Sequence, residues 1–401
     1  MRSIITILLL VLSVTALAEP GRPNILYIFT DDQSDRTVSS YERSRHLVET
    51  PNIDKLAQSG VRFRSMYTGT WCMPSRATFL TGLLQYGVES LRMEGDYPGS
   101  TYDPEQAPFW LSKFREAGYT TAQIGKWHVG ADAGFGRDWD YQVVWNRPKL
   151  TDNAGNYYYD QRISFNGEPA VPVEGYATDN YTDWAVAYIR GEGRQNGKPW
   201  LLWLNYTATH GNFTPAPRHD NTVSEDVDVP MPPGIAGSRP GKPAYIQARR
   251  DWVQGEDGKW YTNNRPPRGG EWNASVKNYH ETALGLDDAV GRLVATLEST
   301  GQLENTLVIY TSDQGFAWGQ HGLQHKMAPY DAALASPLIF SWPGVLPGNR
   351  VSNTAVSGHD IVPTLFHYAG IELPWPMHGR DISSLIERPG QDSDHAVLLA
   401  Y

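Results

Sequence analysis

Four short groups of polar residues each stand just past an apolar run: Asp31-Asp32, Lys126 with His128, His210, and Asp313-Gln314. Three carboxylates and one amide oxygen make an all-oxygen donor set. Hard oxygen donors select Ca2+ or Mg2+ over zinc. Any one of these aspartates could equally close a turn or cap a helix. Carboxylates that follow apolar strands at both ends of the chain are much harder to explain as caps. Between the first two groups lies Cys72, the only cysteine in 401 residues, so an intrachain disulfide is impossible. A lone thiol is either a small buried hydrophobe or a reactive group.

The elements that must position these groups alternate. Asn24 to Phe29, Tyr119 to Ile124, Trp200 to Tyr206 and Thr306 to Thr311 are short, nearly continuous apolar runs. Strands buried on both faces of a parallel sheet have that composition. A further strand covers Pro337 to Phe340. Helices are expected at Pro51 to Ala57, Ser75 to Leu83, Pro104 to Ala117, Thr182 to Arg190 and Asn278 to Ser299, and again from Asp360, the expected N-cap, through Leu365. The amino end of the Ser75 helix would face residue 72 and favour an anion there. Residues 138–175 read as surface loops with room for a hairpin. Pro215 to Gly270, crowded with Pro and Gly, reads as a long excursion of the kind that forms a binding feature or lid. The alternation implies a mostly parallel sheet covered on both faces, an α/β/α sandwich, with ligands at the carboxyl ends of its strands.

The net charge of -10 disfavours nucleic acid and anionic membranes as partners. It also means that an anionic substrate must be met by local positive charge. The 14 Trp and 22 Tyr exceed what a core of this size needs, and exposed ones would stack on sugar rings. Residues 1–18 read as a secretory signal: Arg2, an apolar run from Ile4 to Val14, and Ala16-Leu17-Ala18 as the cleavage site. That run is too short to span a bilayer, and no later segment is apolar enough. The expected product is secreted or periplasmic. A free thiol is unusual in an oxidising compartment, which fits a residue converted before or during export.

Cys72-Met73-Pro74-Ser75-Arg76 matches a Cys-x-Pro-Ser-Arg signature, and from Pro23 to the helix at Asp360 the chain resembles the type I, formylglycine-dependent sulfatases of the alkaline-phosphatase-like superfamily. The resemblance implies that a formylglycine-generating enzyme oxidises residue 72, which then works as an aldehyde hydrate. It implies that Asp31, Asp32, Asp313 and Gln314 hold the metal, with an oxygen from residue 72. Gln314 departs from the commoner Asn, its carbonyl lying one methylene further out. By the same resemblance Arg76 orients the hydrate, and Gly125-Lys126-Trp127-His128 maps Lys126 onto a sulfate-binding lysine and His128 onto the histidine beside the hydrate. His210 matches the lone histidine after a central strand, and Lys326 the lysine downstream of the second ligand pair. The implied reaction is hydrolysis of a sulfate monoester, on a sulfated carbohydrate or another small sulfate ester. Acid and base labels among His128, His210 and Lys326 stay interchangeable.

Residues 19–379 are the expected catalytic domain. Residues 380–401 would open a C-terminal subdomain that appears truncated, with His395 to Tyr401 as an apolar strand cut short. Two other readings stay open: a phosphonate monoester or phosphodiester hydrolase on the same scaffold, and an inactive carbohydrate-binding homologue. A zinc phosphatase is disfavoured because no Ser or Thr nucleophile stands at residue 72.

Overall fold

The computed structural model describes residues 21–69, 71–88, 103, 106–147, 153, 155–263, 270–391 and 393–399. The expected signal segment, the expected helix start at Pro104, and Ala400 and Tyr401 lie outside the described residues.

In chain order the first half contains β1 (Asn24–Thr30), α1 (Pro51–Gln58), β2 (Gly60–Tyr67), α2 (Cys72–Thr81), α3 (Leu111–Glu116), β3 (Thr120–Lys126), β4 (Tyr141–Trp145), β5 (Gln161–Phe165), β6 (Val171–Val173), α4 (Ala177–Ile189) and β7 (Trp200–Asn205). The second half begins with α5 (Ala244–Gln247), the hairpin β8 (Trp252–Gln254) with β9 (Trp260–Thr262), and α6 (Trp272–Ser299). It continues through β10 (Thr306–Ser312), the short pair β11 (Ala317–Trp318) and β12 (Gln324–His325), α7 (Asp331–Leu334) and β13 (Ala335–Ser341). Then come β14 (Arg350–Ser352), β15 (Val356–Ser357), α8 (Ile361–Ala369) and α9 (Ser383–Glu387).

One sheet organises these elements, in the order β14-β2-β13-β10-β1-β7-β3-β4-β5-β6, with β15 beside β2. The five strands from β10 to β4 are parallel to their neighbours. Antiparallel pairing extends the sheet from β10 through β13 to β2, and from β4 through β5 to β6. Every residue of β1, β3, β7 and β10 is buried, which accounts for their unbroken apolar runs. Tyr27 and Phe29 on one face of β1 pack with residues of α2, α3 and α8, while Leu26 and Ile28 on the other pack with α1, α4 and α6. The architecture is the expected three-layer α/β/α sandwich.

Several expectations are corrected. Helix α2 begins at Cys72, not Ser75, so the thiol occupies its first turn; Gly82 at φ 71° ends it. Within residues 138–175 the described part holds the hairpin for which room was left, as β5 with β6, and an unexpected strand, β4, that joins it to the main sheet. Helix α3 has only six residues. Helix α4 starts at Ala177, five residues before the expected Thr182. Helix α6 starts at Trp272 because the Glu271 carboxylate accepts the Asn273 and Ala274 N–H groups. Asp360 is the N-cap residue of α8 as expected, but its carboxylate makes no capping bond to that helix and instead accepts from Ser357 N at 2.8 Å and Arg380 N at 2.9 Å. Residues 393–399 form no strand. Trp110, Trp127, Trp139, Trp145, Trp200, Trp203, Trp252, Trp272 and Trp318 are buried, so most of the tryptophan serves the core.

Between β3 and β7 the backbones leave no room at Gly125, where φ is 99° and a Cβ would lie 1.9 Å from the Asn205 carbonyl oxygen. Neither the conformation nor the space suits a side chain. Gly125→Ala is expected to cost about 3 kcal/mol or more, read as a fall in Tm. Gly155→Ala, where nothing lies within 4 Å, is the comparison. Equal small effects at both positions would contradict the close strand approach.

Candidate active site

Because β10, β1, β7 and β3 are adjacent and parallel, their carboxyl ends share one edge of the sheet. Thr30 pairs with Ser312, so Asp31 and Asp313 leave neighbouring strands at one level. Phe29 and Gly125 both pair with Asn205, which brings the loops after β7 and β3 to the same edge. Helix α2 supplies Cys72 and Arg76, four residues apart and therefore on one face. Asp32 at φ 60° and His128 at φ 62° hold left-handed backbone, which is uncommon outside glycine and concentrates at functional sites.

Asp31, Asp32 and Asp313 are buried and offer oxygens within 4.8 Å of one another. Three cations meet them. Lys126 Nζ hydrogen-bonds Asp31, and Lys326 Nζ donates to both Asp32 oxygens at 2.7 Å. Arg76 Nη2 lies 3.2 Å from Asp313 Oδ2 and 3.9 Å from Asp31 Oδ1. Cys72 Sγ sits inside this group, donating to Asp31 Oδ1 at 3.3 Å and facing Lys326 Nζ at 2.9 Å and Gln314 Nε2 at 3.4 Å. The thiol is buried among charged and polar groups rather than sealed in hydrocarbon.

Burial alone would raise the Asp31 carboxyl, but Lys126, His210, Arg76 and Lys326 together hold it well below its ordinary value. Burial raises Asp32 despite Lys326. Burial and then Asp31 push Asp313 up to about 8. Both lysines are held protonated: burial opposes the charge, but Asp31 raises Lys126 and Asp32 raises Lys326.

The His210 ring stacks on Tyr157, centroids 3.8 Å apart and planes 3° from parallel, with Nε2 3.7 Å from Asp32 Oδ2. Burial, then Lys326, keeps its imidazole neutral. Burial, then Lys126, does the same for His128, whose buried Nδ1 has no hydrogen-bond partner. All ten expected site residues thus gather at one edge of the sheet. Two details differ from expectation. Arg76 donates from Nη1 to Lys126 O at 3.2 Å and Asn205 Oδ1 at 3.0 Å and turns Nη2 to the carboxylates, so its partners are not residue 72. Gln314 Oε1 accepts from the Ser75 hydroxyl at 3.2 Å and its amide nitrogen donates to Asp32 and Cys72; a half-turn about its last torsion exchanges the two.

Asn205, Tyr157 and Ser75 were not among the expected site residues. Asn205 had a signal, as the one polar side chain closing the apolar run of β7. Tyr157 had none, since nothing in its spacing links it to His210.

The donors fit a hard divalent cation. Asp313 Oδ2 makes no hydrogen bond among the described residues, and burial, then Asp31, pushes its carboxyl up to about 8 despite Arg76 at 3.2 Å, a shift that a bound cation would oppose.

The family model described as Sulfatase matches residues 23–371. The chain is 29% identical to an N-acetylglucosamine-6-O-sulfatase of Bacteroides thetaiotaomicron, over 93% of this chain and 72% of that protein. It is 30% identical to the uncharacterized sulfatase YidJ of Escherichia coli K12, over 92% of this chain and 72% of that one. Among solved structures it superposes on BT4656 in complex with its substrate D-glucosamine-2-N,6-O-disulfate at a TM-score of 0.79 and 26% identity, covering 93% of this chain and 82% of that one.

Ca2+ at a hundredfold excess over its Kd is expected to stabilise the folded chain by about 2.7 kcal/mol, seen as a higher Tm than in chelator. Asp313→Ala should remove that rise. A rise that survives the substitution would locate the cation elsewhere.

Proposed function

The chain belongs to the sulfatase family and is a sulfuric ester hydrolase, and from that premise we propose that it cleaves sulfate monoesters of carbohydrates through a formylglycine made from Cys72. The observation that carries the reading is the setting of the thiol, in the first turn of α2 and in contact with Asp31 and Lys326. Burial, then Asp31, pushes the thiol up to about 12, so sulfur is a poor nucleophile in this place. A residue that is inert as cysteine and ringed by charge suits a precursor. Similarity to an N-acetylglucosamine-6-O-sulfatase and to a structure holding a glucosamine disulfate supports a 6-O-sulfated glucosamine as substrate.

Asp31, Asp32, Asp313 and Gln314 would hold Ca2+, which when bound supplies positive charge to the ester oxygens. Residue 72 as formylglycine supplies a hydrate, one hydroxyl for attack on sulfur and the other for release of sulfate by C–O cleavage. The chain's own groups do the rest. Lys126, Lys326 and Arg76 stabilise negative charge on the sulfate oxygens in a buried site, where such charges act strongly. His210 presents Nε2 at the more open side, its ring fixed by Tyr157 and Lys326 as its neighbour; neutral at rest, it would take up the proton that it passes to the leaving oxygen once the sulfate's negative charge lies beside it. His128, with its unpaired Nδ1, takes the proton from residue 72.

The same reading assigns residues 1–18 to an export signal, 19–379 to the catalytic domain and 380–401 to the start of a C-terminal subdomain. It places the enzyme outside the cytoplasm, after contact with a formylglycine-generating enzyme. Among the described residues no helix is long and apolar enough to cross a membrane.

Mass spectrometry of the tryptic peptide ending at Arg76, from protein made with the maturation enzyme, should show the loss that accompanies thiol-to-aldehyde conversion. Cys72→Ala and His210→Ala should each lower kcat at least about a hundredfold, while Cys72→Ser retains substrate binding. Normal turnover by Cys72→Ala would rule the mechanism out. Faster cleavage of an aryl phosphate than of the matched aryl sulfate would favour the phosphoester alternative.

A further inference from the structure

Within the carboxylate cluster each cation has an acid: Lys126 has Asp31, Lys326 has Asp32, and Arg76 has Asp313. A fourth cation beside them has none. Arg147 follows β4 by two residues. Trp145, the last residue of that strand, stands in register with Lys126 and accepts the Trp127 N–H at 2.9 Å. Asn146 donates to Gly130 O at 2.9 Å, which ties the turn carrying Arg147 to the loop carrying His128. On its other side the Trp145 ring meets Tyr157 at 4.9 Å, and Tyr157 is the ring stacked on His210. Arg147 is partly buried there and makes no hydrogen bond or ion pair among the described residues. Its charge reaches His128, His210 and Tyr157 alike.

Three acids against three cations leave Arg147 surplus to the balance of the cluster. A partly desolvated guanidinium without a counter-ion is costly unless a ligand supplies one. Its planar fork fits a sulfate or carboxylate with two hydrogen bonds. In a protein of net charge -10, a polyanionic sugar also needs such a local cation to approach.

We infer that Arg147 is a specificity residue that binds a second anionic substituent of the substrate, a sulfate or carboxylate other than the ester being cleaved. The inference rests on the sulfatase reading above. It makes this enzyme selective for multiply charged sugars over singly sulfated ones.

The test compares converted wild type with Arg147→Ala and Arg147→Lys on four esters: an uncharged-aglycone aryl sulfate, 6-O-sulfated N-acetylglucosamine, glucosamine-2-N,6-O-disulfate, and a 6-O-sulfated disaccharide with a uronate neighbour. Wild type should prefer one of the two doubly charged sugars, and which one identifies sulfate or carboxylate as the second anion. Arg147→Ala should lose about tenfold or more in kcat/KM on that sugar, mainly through KM. On the aryl sulfate it should lose less than about threefold, the through-space effect alone, and Arg147→Lys should recover part of the loss. In the Cys72→Ser background, calorimetric affinity for the preferred sugar should fall by the same factor. Equal losses on all four esters, no loss on any, or no wild-type preference for a second charge would overturn the assignment. If converted wild type hydrolyses no sulfate ester, the underlying reading fails, and the affinity comparison alone decides Arg147.

Discussion

The structure turns on the mutual compensation of three buried carboxylates by buried Arg76 and Lys126 and part-buried Lys326 at the carboxyl edge of β10, β1, β7 and β3. A buried charge is tolerable only when it is paired and its remaining hydrogen-bonding capacity is met. Here each acid leans on a cation supplied by a distant part of the chain: Asp31 on Lys126, Asp32 on Lys326, Asp313 on Arg76. Removing one partner leaves another charged group stranded, so the cluster constrains its loops as much as they position it. The pairing is uneven, however. Asp31 has Lys126, Arg76 and Lys326 acting on it and stays ionised, while burial and its acidic neighbours push Asp313 towards protonation against Arg76 and Lys126. That imbalance is what the proposed cation would relieve.

Backbone bonds hold the loops in place. Asp31 donates its N–H to Ala208 O at 3.0 Å, and Thr209 returns one to Asp31 O at 2.7 Å, which fastens the first acidic pair to the loop of His210. Asp313 N donates to Thr30 O at 3.2 Å, and Asp32 N donates to the Asp313 side chain at 2.9 Å. The Tyr279 hydroxyl, reaching up from α6, accepts from Ser34 N and donates to Asp32 O, both at 2.7 Å. With both sides of the loop satisfied, the left-handed backbone at Asp32 persists although a side chain there disfavours it.

What was legible in the sequence follows from this construction. Strands buried on both faces carry unbroken apolar runs, so β1, β3, β7 and β10 could be read directly, and the polar groups just past them marked the edge. Cys72 and Arg76 were visible through their short motif. The residues that support this site were less visible because their partners are far away in the chain. Tyr157 earns its place only by stacking on His210, and Gln314 has its amide oriented by Ser75, 239 positions earlier. In residues 138–175 no more than room for a hairpin was legible, because β5 and β6 lie at the margin of the sheet, where partly exposed strands mix polar and apolar residues without a clear period; the buried strand β4 was missed. Tryptophan abundance misled for a related reason: Trp127, Trp139 and Trp203 form one aromatic cluster beneath the active edge, a packing role that composition alone cannot separate from sugar stacking.

The surroundings of residue 72 favour an oxygen-bearing group over the thiol that translation supplies. Sulfur is a weak hydrogen-bond donor and acceptor, yet Sγ stands where a lysine and an amide point donors at it and a carboxylate waits for its proton. Ionising the thiol would add a fourth negative charge to a cluster already holding three acids, and burial with Asp31 forbids that. Among the described residues two polar atoms near the same residue make no hydrogen bond: Asp313 Oδ2, which has an ion-pair contact with Arg76 Nη2 at 3.2 Å, and His128 Nδ1. A converted side chain with two oxygens can give and accept at once, which a thiol cannot do well. The cost of keeping so polar a pocket around a cysteine is what the proposed conversion of residue 72 would lower.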